Sequence, residues 1–202
     1  MSIYRIEFFN YQYLILKLMK TSFVFLADGF EEIEALATVD VMRRAGMPVI
    51  TVSINATLQV TGAHGVVVMA DALVDDCDLA NAEWLICPGG MPGATHLAAC
   101  EPLCRALVEQ NRCGGHLAAI CASPAIVLAP LGIITNREAV CYPGMAVEGY
   151  GVNWCEPKMV VVDGNVVTGR GPAAACEFGL TIVAQSMGTQ VANEVATGML
   201  ID

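Results

Sequence analysis

From residue 21 onward, short unbroken apolar runs alternate with stretches whose apolar residues recur every three or four positions. Residues 22–27 (SFVFLA) are the first such run, rich in Phe and Val, as in a strand buried on both faces. Asp28 and Gly29 end it. A helix is predicted over 31–45, with Ile33, Leu36, Ala37 and Val41 at helical spacing. Glu31, Glu32 and Glu34 suit the positive end of its dipole, and Gly46 and Pro48 terminate it. Further strands are predicted over 48–54, 83–87, 116–120 and 139–142, and two β runs within 57–70 predict a hairpin on the sheet edge. Helices are predicted over 94–110, broken or kinked at Pro102, and over 123–131, 173–187 and 190–199. Asp163-Gly164, between apolar runs at 158–162 and 165–168, is a two-residue hairpin turn. Strand–helix alternation with unbroken apolar strands implies an α/β fold whose mostly parallel sheet is covered on both faces. Ligands of such sheets sit outside the carboxyl ends of the strands. That rule selects the loops at 28–34, 88–93, 121–124 and 169–172.

The first nineteen residues fall outside this alternation. They are apolar and aromatic, but Arg5, Glu7, Asn10, Gln12 and Lys17 interrupt them, so no run approaches the ~18 residues of a membrane span. No small-residue cleavage site follows, as a secretory signal requires. Residues 1–19 therefore read as an appendage, or as a start site placed too early, and 20–202 as a single domain. An amphipathic surface helix is the alternative for the appendage.

Charge narrows the function classes. Ten Lys and Arg against 20 Asp and Glu give a net charge of -10. Nucleic acid and anionic membranes are disfavoured, because both require a cationic field. The 9 cysteines are odd in number and irregular in spacing, and without a secretory signal they read as free thiols of a cytoplasmic protein. The informative question is which thiol occupies a reactive setting.

Cys121 does. A buried strand runs directly into it, and a helix follows almost at once through Ala122, Ser123 and Pro124. This is the pattern of a nucleophile elbow. The tight turn needs small residues two before and two after, and Ala119 and Ser123 supply them. A helix N-terminus beside the sulphur is expected to favour thiolate and lower its pKa. None of the three histidines has a spacing that makes it a partner. His116 lies roughly 16 Å back along the strand, His64 sits in the predicted edge hairpin and His96 on a helix. Glu34, after the first strand, is the best carboxyl candidate. It reads equally well as a solvated first-turn glutamate.

Pro88-Gly89-Gly90 lets backbone amides approach a ligand, and the amides of Gly90 and Ala122 together suit an oxyanion hole. Taken alone, the same glycines read as a tight turn. Two motifs are set aside. Gly169-Arg170-Gly171-Pro172-Ala173-Ala174 fits a dinucleotide fingerprint, but no later strand carries the required acid. His96, Cys100 and Cys104 are spaced by four, as on one helix face, but Pro102 disturbs that helix and thiols are common in this chain. No metal site is expected.

Several ordered motifs together resemble the ThiJ/PfpI superfamily: residues 27–34 (ADGFEEIE), 39–46 (VDVMRRAG), 88–90 (PGG), 118–124 (AAICASP) and 170–172 (RGP). The resemblance runs from about residue 20 to the end and points to the branch of the Parkinsonism-associated protein deglycase and its bacterial relatives. It implies a flavodoxin-like (class I glutamine amidotransferase-like) three-layer sandwich, a homodimer, and no metal or organic cofactor. By resemblance, Cys121 is the reactive, oxidation-prone cysteine and Glu34 its bonded carboxyl. Gly90 and Ala122 supply the amides, and Gly89, Tyr142, Arg170 and Pro172 complete the candidate substrate-binding set. The implied activity is glyoxalase III-like or deglycase-like, on small dicarbonyls such as methylglyoxal or on glycated adducts. The alternative is a non-catalytic redox sensor or chaperone. Tyr142 stands where some relatives carry a His before Pro, and Ala122 where the protease-like branch carries a His after its cysteine. Both departures count against peptidase activity.

Overall fold

The computed structural model describes residues 19–201. The predicted appendage therefore lies, but for Met19, outside the described residues. A seven-stranded sheet runs in the order β10-β11-β7-β6-β1-β2-β5. Its strands are β1 (Ser22–Leu26), β2 (Val49–Ser53), β5 (Ala72–Leu73), β6 (Trp84–Cys87), β7 (His116–Ile120), β10 (Val160–Asp163) and β11 (Val166–Gly169). All neighbours pair in parallel except β10, which runs antiparallel to β11.

Alternation along each strand builds the two flanking layers. Phe23 and Phe25 face one side with Leu85 and Leu117, where α2 (Gly93–Ala99) and α3 (Glu101–Arg112) add Leu97, Leu103 and Leu107. Val24 and Leu26 face the other side, against α1 (Glu32–Arg44), α4 (Ala175–Met187) and α5 (Thr189–Gly198), which add Val41, Met42, Phe178, Ile182 and Val195. Both faces are covered, so neither side of a strand has room for a polar residue, and the sequence shows an unbroken apolar run. The fold is the three-layer sandwich that the alternation predicts.

Four expectations are corrected. The 57–70 hairpin does not extend the main sheet. Its strands β3 (Gln59–Thr61) and β4 (Val67–Met69) form a separate antiparallel ribbon, and the short β5 takes the sheet edge beside β2. The ribbon is held elsewhere because Ala63 N donates to Phe30 O (2.7 Å) and His64 N to Glu32 Oε1 (2.7 Å), which ties it to the start of α1. The strand expected at 139–142 shrinks to β8 (Glu138–Ala139), paired with β9 (Asn153–Trp154) outside the main sheet. Its remaining amides are diverted: Val140 N donates to Thr168 Oγ1 (3.0 Å) and Tyr142 N to Cys121 O (2.8 Å). The helix expected over 123–131 is a single π-helical turn, Pro124–Leu128. The hairpin turn sits one residue later than predicted, because Asp163 pairs with Val166 and leaves Gly164-Asn165 at the tip. The helix over 94–110 does divide, at Cys100, and Pro102 lies in the first turn of α3, where a missing N–H costs nothing.

The α1–α4 contact makes room for no side chain at Gly179. A Cβ there would lie 2.9 Å from Val41 Cβ, a branched atom that cannot swing away. Gly179→Ala is expected to destabilise the protein by about 1–3 kcal/mol, read as a lower urea midpoint at unchanged slope.

Candidate active site

The site is built where β7 ends. Cys121 has φ 64, a conformation that non-glycine residues rarely adopt, at a cost on the order of 1–3 kcal/mol. The fold holds it there by hydrogen bonds on both sides. Cys121 N donates to Gly169 O (2.9 Å), and Cys121 O accepts from Tyr142 N (2.8 Å). Ser123, fully buried, donates its hydroxyl to Pro88 O at 2.5 Å and so ties the elbow to the glycine loop after β6. The small residues at 119 and 123 thus have different reasons: Ala119 is fully buried in the core on the α2–α3 face of the sheet, and Ser123 is a cross-loop donor that its size alone did not reveal.

Glu34 lies in the first turn of α1 and is fully buried. Its Oε2 accepts from Gly89 N (2.8 Å), and its carboxyl lies close enough to the Cys121 thiol that each shifts the other's titration. Oε1 is buried with no donor aimed at it. Gly89 marks the meeting point: a Cβ there would lie 2.7 Å from Glu34 Oε2 and 2.9 Å from Cys121 Sγ. The amides of Gly90 and Ala122 are directed at the sulphur. Glu31 and Glu32 are buried too, so none of the three first-turn acids is solvated. Glu31 Oε2 caps the helix by accepting from Glu34 N (2.7 Å), and Glu32 clamps the β3–β4 ribbon through His64.

Burial dominates the electrostatics. It pushes the Glu34 carboxyl up to about 7, against the Cys121 and Gly89 hydrogen bonds that lower it, with the nearby Glu31 charge adding to the rise. The expected lowering of the thiol is corrected. Burial pushes Cys121 up, to about 12 when it faces the charge of Glu34, and the Gly90 and Ala122 amides only partly offset this. Protonating Glu34 removes that opposing charge. One proton therefore leaves this pair near neutrality, and a second only at high pH.

Tyr142 is half exposed beside the elbow, its ring against Gly171, where a Cβ would lie 3.3 Å from Cδ2. Pro172 opens the short turn into α4, and Arg170 donates from Nη1 to Pro157 O (3.5 Å), so neither touches the Cys121–Glu34 pair through a hydrogen bond. The histidines are engaged elsewhere, as their spacing suggested. His64 Nδ1 meets Glu32 (2.8 Å), His96 Nδ1 meets Asp28 O (2.9 Å), and His116 stacks on Trp84 with ring centres 4.6 Å apart. Among the described residues, Glu31, Glu32 and His64 bring three possible metal-ligand atoms within 4.8 Å, but the cap and clamp bonds already use them. No helix among the described residues is long and apolar enough to cross a membrane.

The DJ-1/PfpI family model matches residues 20–185, the stretch that holds both Glu34 and Cys121. The chain belongs to the DJ-1/PfpI family. Within that family it is 34% identical over 185 residues to Protein dj-1beta of Drosophila melanogaster, covering 90% of this chain and 97% of that protein. The crystal structure of Drosophila melanogaster DJ-1beta superposes with a TM-score of 0.86 at 32% identity, over 92% of this chain and all of that one. Glutathione-independent glyoxalase DJR-1.2 of Caenorhabditis elegans is 34% identical over 167 residues, 82% of this chain and 87% of that protein. Protein DJ-1 homolog B of Arabidopsis thaliana is also 34% identical, but this chain spans only 40% of its length. These DJ-1 relatives are eukaryotic, so placement in a bacterial branch gains nothing from them.

The raised Glu34 pKa has a consequence for stability. In the unfolded chain the carboxyl titrates near 4.5, and in the folded protein near 7. Its contribution is therefore complete below about pH 4.5 and is lost as pH rises through about 7, by on the order of 3 kcal/mol. His64, also raised, loses stability in an overlapping window, so the test is a difference. Urea midpoints from pH 5 to 8 should fall more steeply for wild type than for Glu34→Gln; parallel curves would contradict a buried, protonated Glu34.

Proposed function

We propose that the protein is a cofactor-independent cysteine enzyme acting on small reactive dicarbonyls, of the glyoxalase III type, converting methylglyoxal to lactate. The observation that carries this reading is the buried Glu34 carboxyl against Cys121, with the Gly90 and Ala122 amides aimed at the same sulphur. The name of the nematode relative, a glutathione-independent glyoxalase, supports the substrate class. With Glu34 protonated, the carboxyl can donate to the nearby sulphur, and the two amides favour the thiolate. With the charge on Glu34 instead, Oε1 is a buried anionic oxygen without a donor, which is costly. The reactive form in this proposal is therefore the one in which Glu34 keeps its proton and sulphur carries the charge.

The thiolate attacks the aldehyde carbon and forms a hemithioacetal. The oxyanion develops beside the Gly90 and Ala122 amides and takes the Glu34 proton. Glu34, now carboxylate, removes the proton from the former aldehyde carbon to give an enediolate, the hydroxyl proton passes to the neighbouring oxygen, and Glu34 returns its proton to the neighbouring carbon, leaving a lactyl thioester. Water then cleaves the thioester, and lactate leaves with the thiol restored. The sum is methylglyoxal plus water to lactate, with no external oxidant. The half-exposed Tyr142, with Gly89 and Pro172 nearby in the fold, bounds the approach to the sulphur. Arg170 lies one residue beyond the Gly169 carbonyl that holds the elbow.

Two further proposals complete the reading. All nine cysteines are free thiols, which suits a reducing, cytoplasmic setting. Ile33 and Leu36 on α1 and Val67 and Met69 on the ribbon leave apolar side chains 38–66% exposed, and we assign this face to a homodimer contact. Ile33→Asp with Met69→Asp is expected to sediment as a monomer where wild type sediments as a dimer.

The deciding experiment follows lactate formation from methylglyoxal without glutathione. Cys121→Ala should abolish it, and Glu34→Gln should slow it roughly 10²–10⁴-fold. Equal activity of wild type and Cys121→Ala would overturn the mechanism. If wild type forms no lactate while peroxide modifies Cys121 ahead of the other thiols, the redox-sensor reading takes its place.

A further inference from the structure

The chemistry assigned to Cys121 leaves eight thiols unused, and three of them gather on the opposite side of β6. Cys87 ends β6 fully buried, on the sheet face covered by α2 and α3. Cys100 is the residue at which the chain breaks between those helices, with φ -80 and ψ 98, and it is only partly buried. It is the N-cap of α3, and its side chain makes no capping hydrogen bond. Cys104 lies one turn on, its N–H bonded to Cys100 O at 2.9 Å. Its sulphur points back toward the helix break, donating to Ala98 O (3.3 Å) beside Leu97 O (3.8 Å), the latter also accepting from Cys100 N (3.1 Å). His96, spaced to join them, instead turns to Asp28 O.

Residues four apart at a helix start bring their Cβ atoms within about 5–6 Å, a span that two thiolates can bridge through one cation. The surroundings resist charge without one. Burial raises Cys104 and pushes Cys87 far above the ordinary thiol range, and the ionised thiols would raise one another further. A bound cation reverses that repulsion, and an anionic complex gains from the positive end of the twelve-residue helix α3.

We propose that Cys100 and Cys104 form a two-thiolate site for a soft d10 cation of the monovalent copper class, independent of Cys121 and backed by the Cys87 thiol. One cation displaces two S–H protons, two metal–sulphur bonds form, and no oxidation state changes. Cys87 stays protonated and lines the site with sulphur. The helix-face spacing that Pro102 seemed to spoil is usable because Pro102 sits in the first turn of α3, where its missing N–H breaks no helical bond.

The test uses full-length Cys121→Ala, so that the elbow thiol cannot bind, titrated without oxygen with copper(I) held by a chromophoric chelator. The expected result is uptake of about one equivalent with proton release. Replacing Cys100 and Cys104 with Ser in that background should abolish the uptake, and replacing the exposed Cys113 should leave it. Should the double replacement fail to fold, alkylation of the unmutated chain decides. Copper(I) should protect Cys100 and Cys104, mapped by mass spectrometry, while Cys113 stays reactive. Copper uptake that survives loss of both thiols, no uptake at all, or undiminished alkylation of the pair at saturating metal would overturn the site.

Discussion

The structure turns on a single strained residue. Cys121 can hold φ 64 only because β11 receives its amide and Tyr142 supplies a donor to its carbonyl. Both partners depend on the sheet order, which places β11 beside β7 and returns the 140–142 segment over the elbow. The sheet therefore does more than carry the sulphur to a loop. It removes the conformations in which an ordinary cysteine would relax, and so fixes where the Gly90 and Ala122 amides meet it. A site held by rigid elements loses little on reorganisation when charge develops, which is the setting in which backbone amides are most effective.

Much of this was legible in the residues. Unbroken apolar strands required a sheet covered on both sides, and the strand-to-helix turn with small flanks singled out Cys121 from nine thiols. Glu34 was not legible in the same way. Glu31, Glu32 and Glu34 share one helical turn, and local chemistry gives each the same favourable dipole. What separates them is their partners: Glu31 turns back to cap its own helix, Glu32 reaches the ribbon, and Glu34 meets Gly89 N in the loop after β6. A single sequence names the acids but cannot distribute them. The ribbon itself was misplaced for the same reason, since its position depends on the Glu32 clamp and not on its own β pattern.

The expectation for the thiol failed more instructively. A helix N-terminus was expected to lower its pKa, but only a single π turn follows the elbow, and burial with a facing carboxyl outweighs it. Desolvation scales with what packs around a group, and no spacing rule reports it. The correction does not weaken the case for a reactive sulphur. It moves the control of charge from the helix to Glu34, whose own burial keeps it protonated until about neutrality.

That shift explains why a carboxyl can serve where an imidazole is commonly used. A histidine partner stores a positive charge and favours ion pairs, whereas a protonated acid gives the thiolate a hydrogen bond without adding charge. The resting pair then carries one negative charge in a chain that is already acidic, at -10 overall. Such a site has little attraction for anions and suits small neutral electrophiles, in which negative charge appears only after attack. Once it appears, the Glu34 proton neutralises it within the same pocket. In the proposed mechanism one shared proton couples nucleophile and proton donor, whereas the proposed second thiol site, on the other face of the sheet, exchanges its protons for a cation.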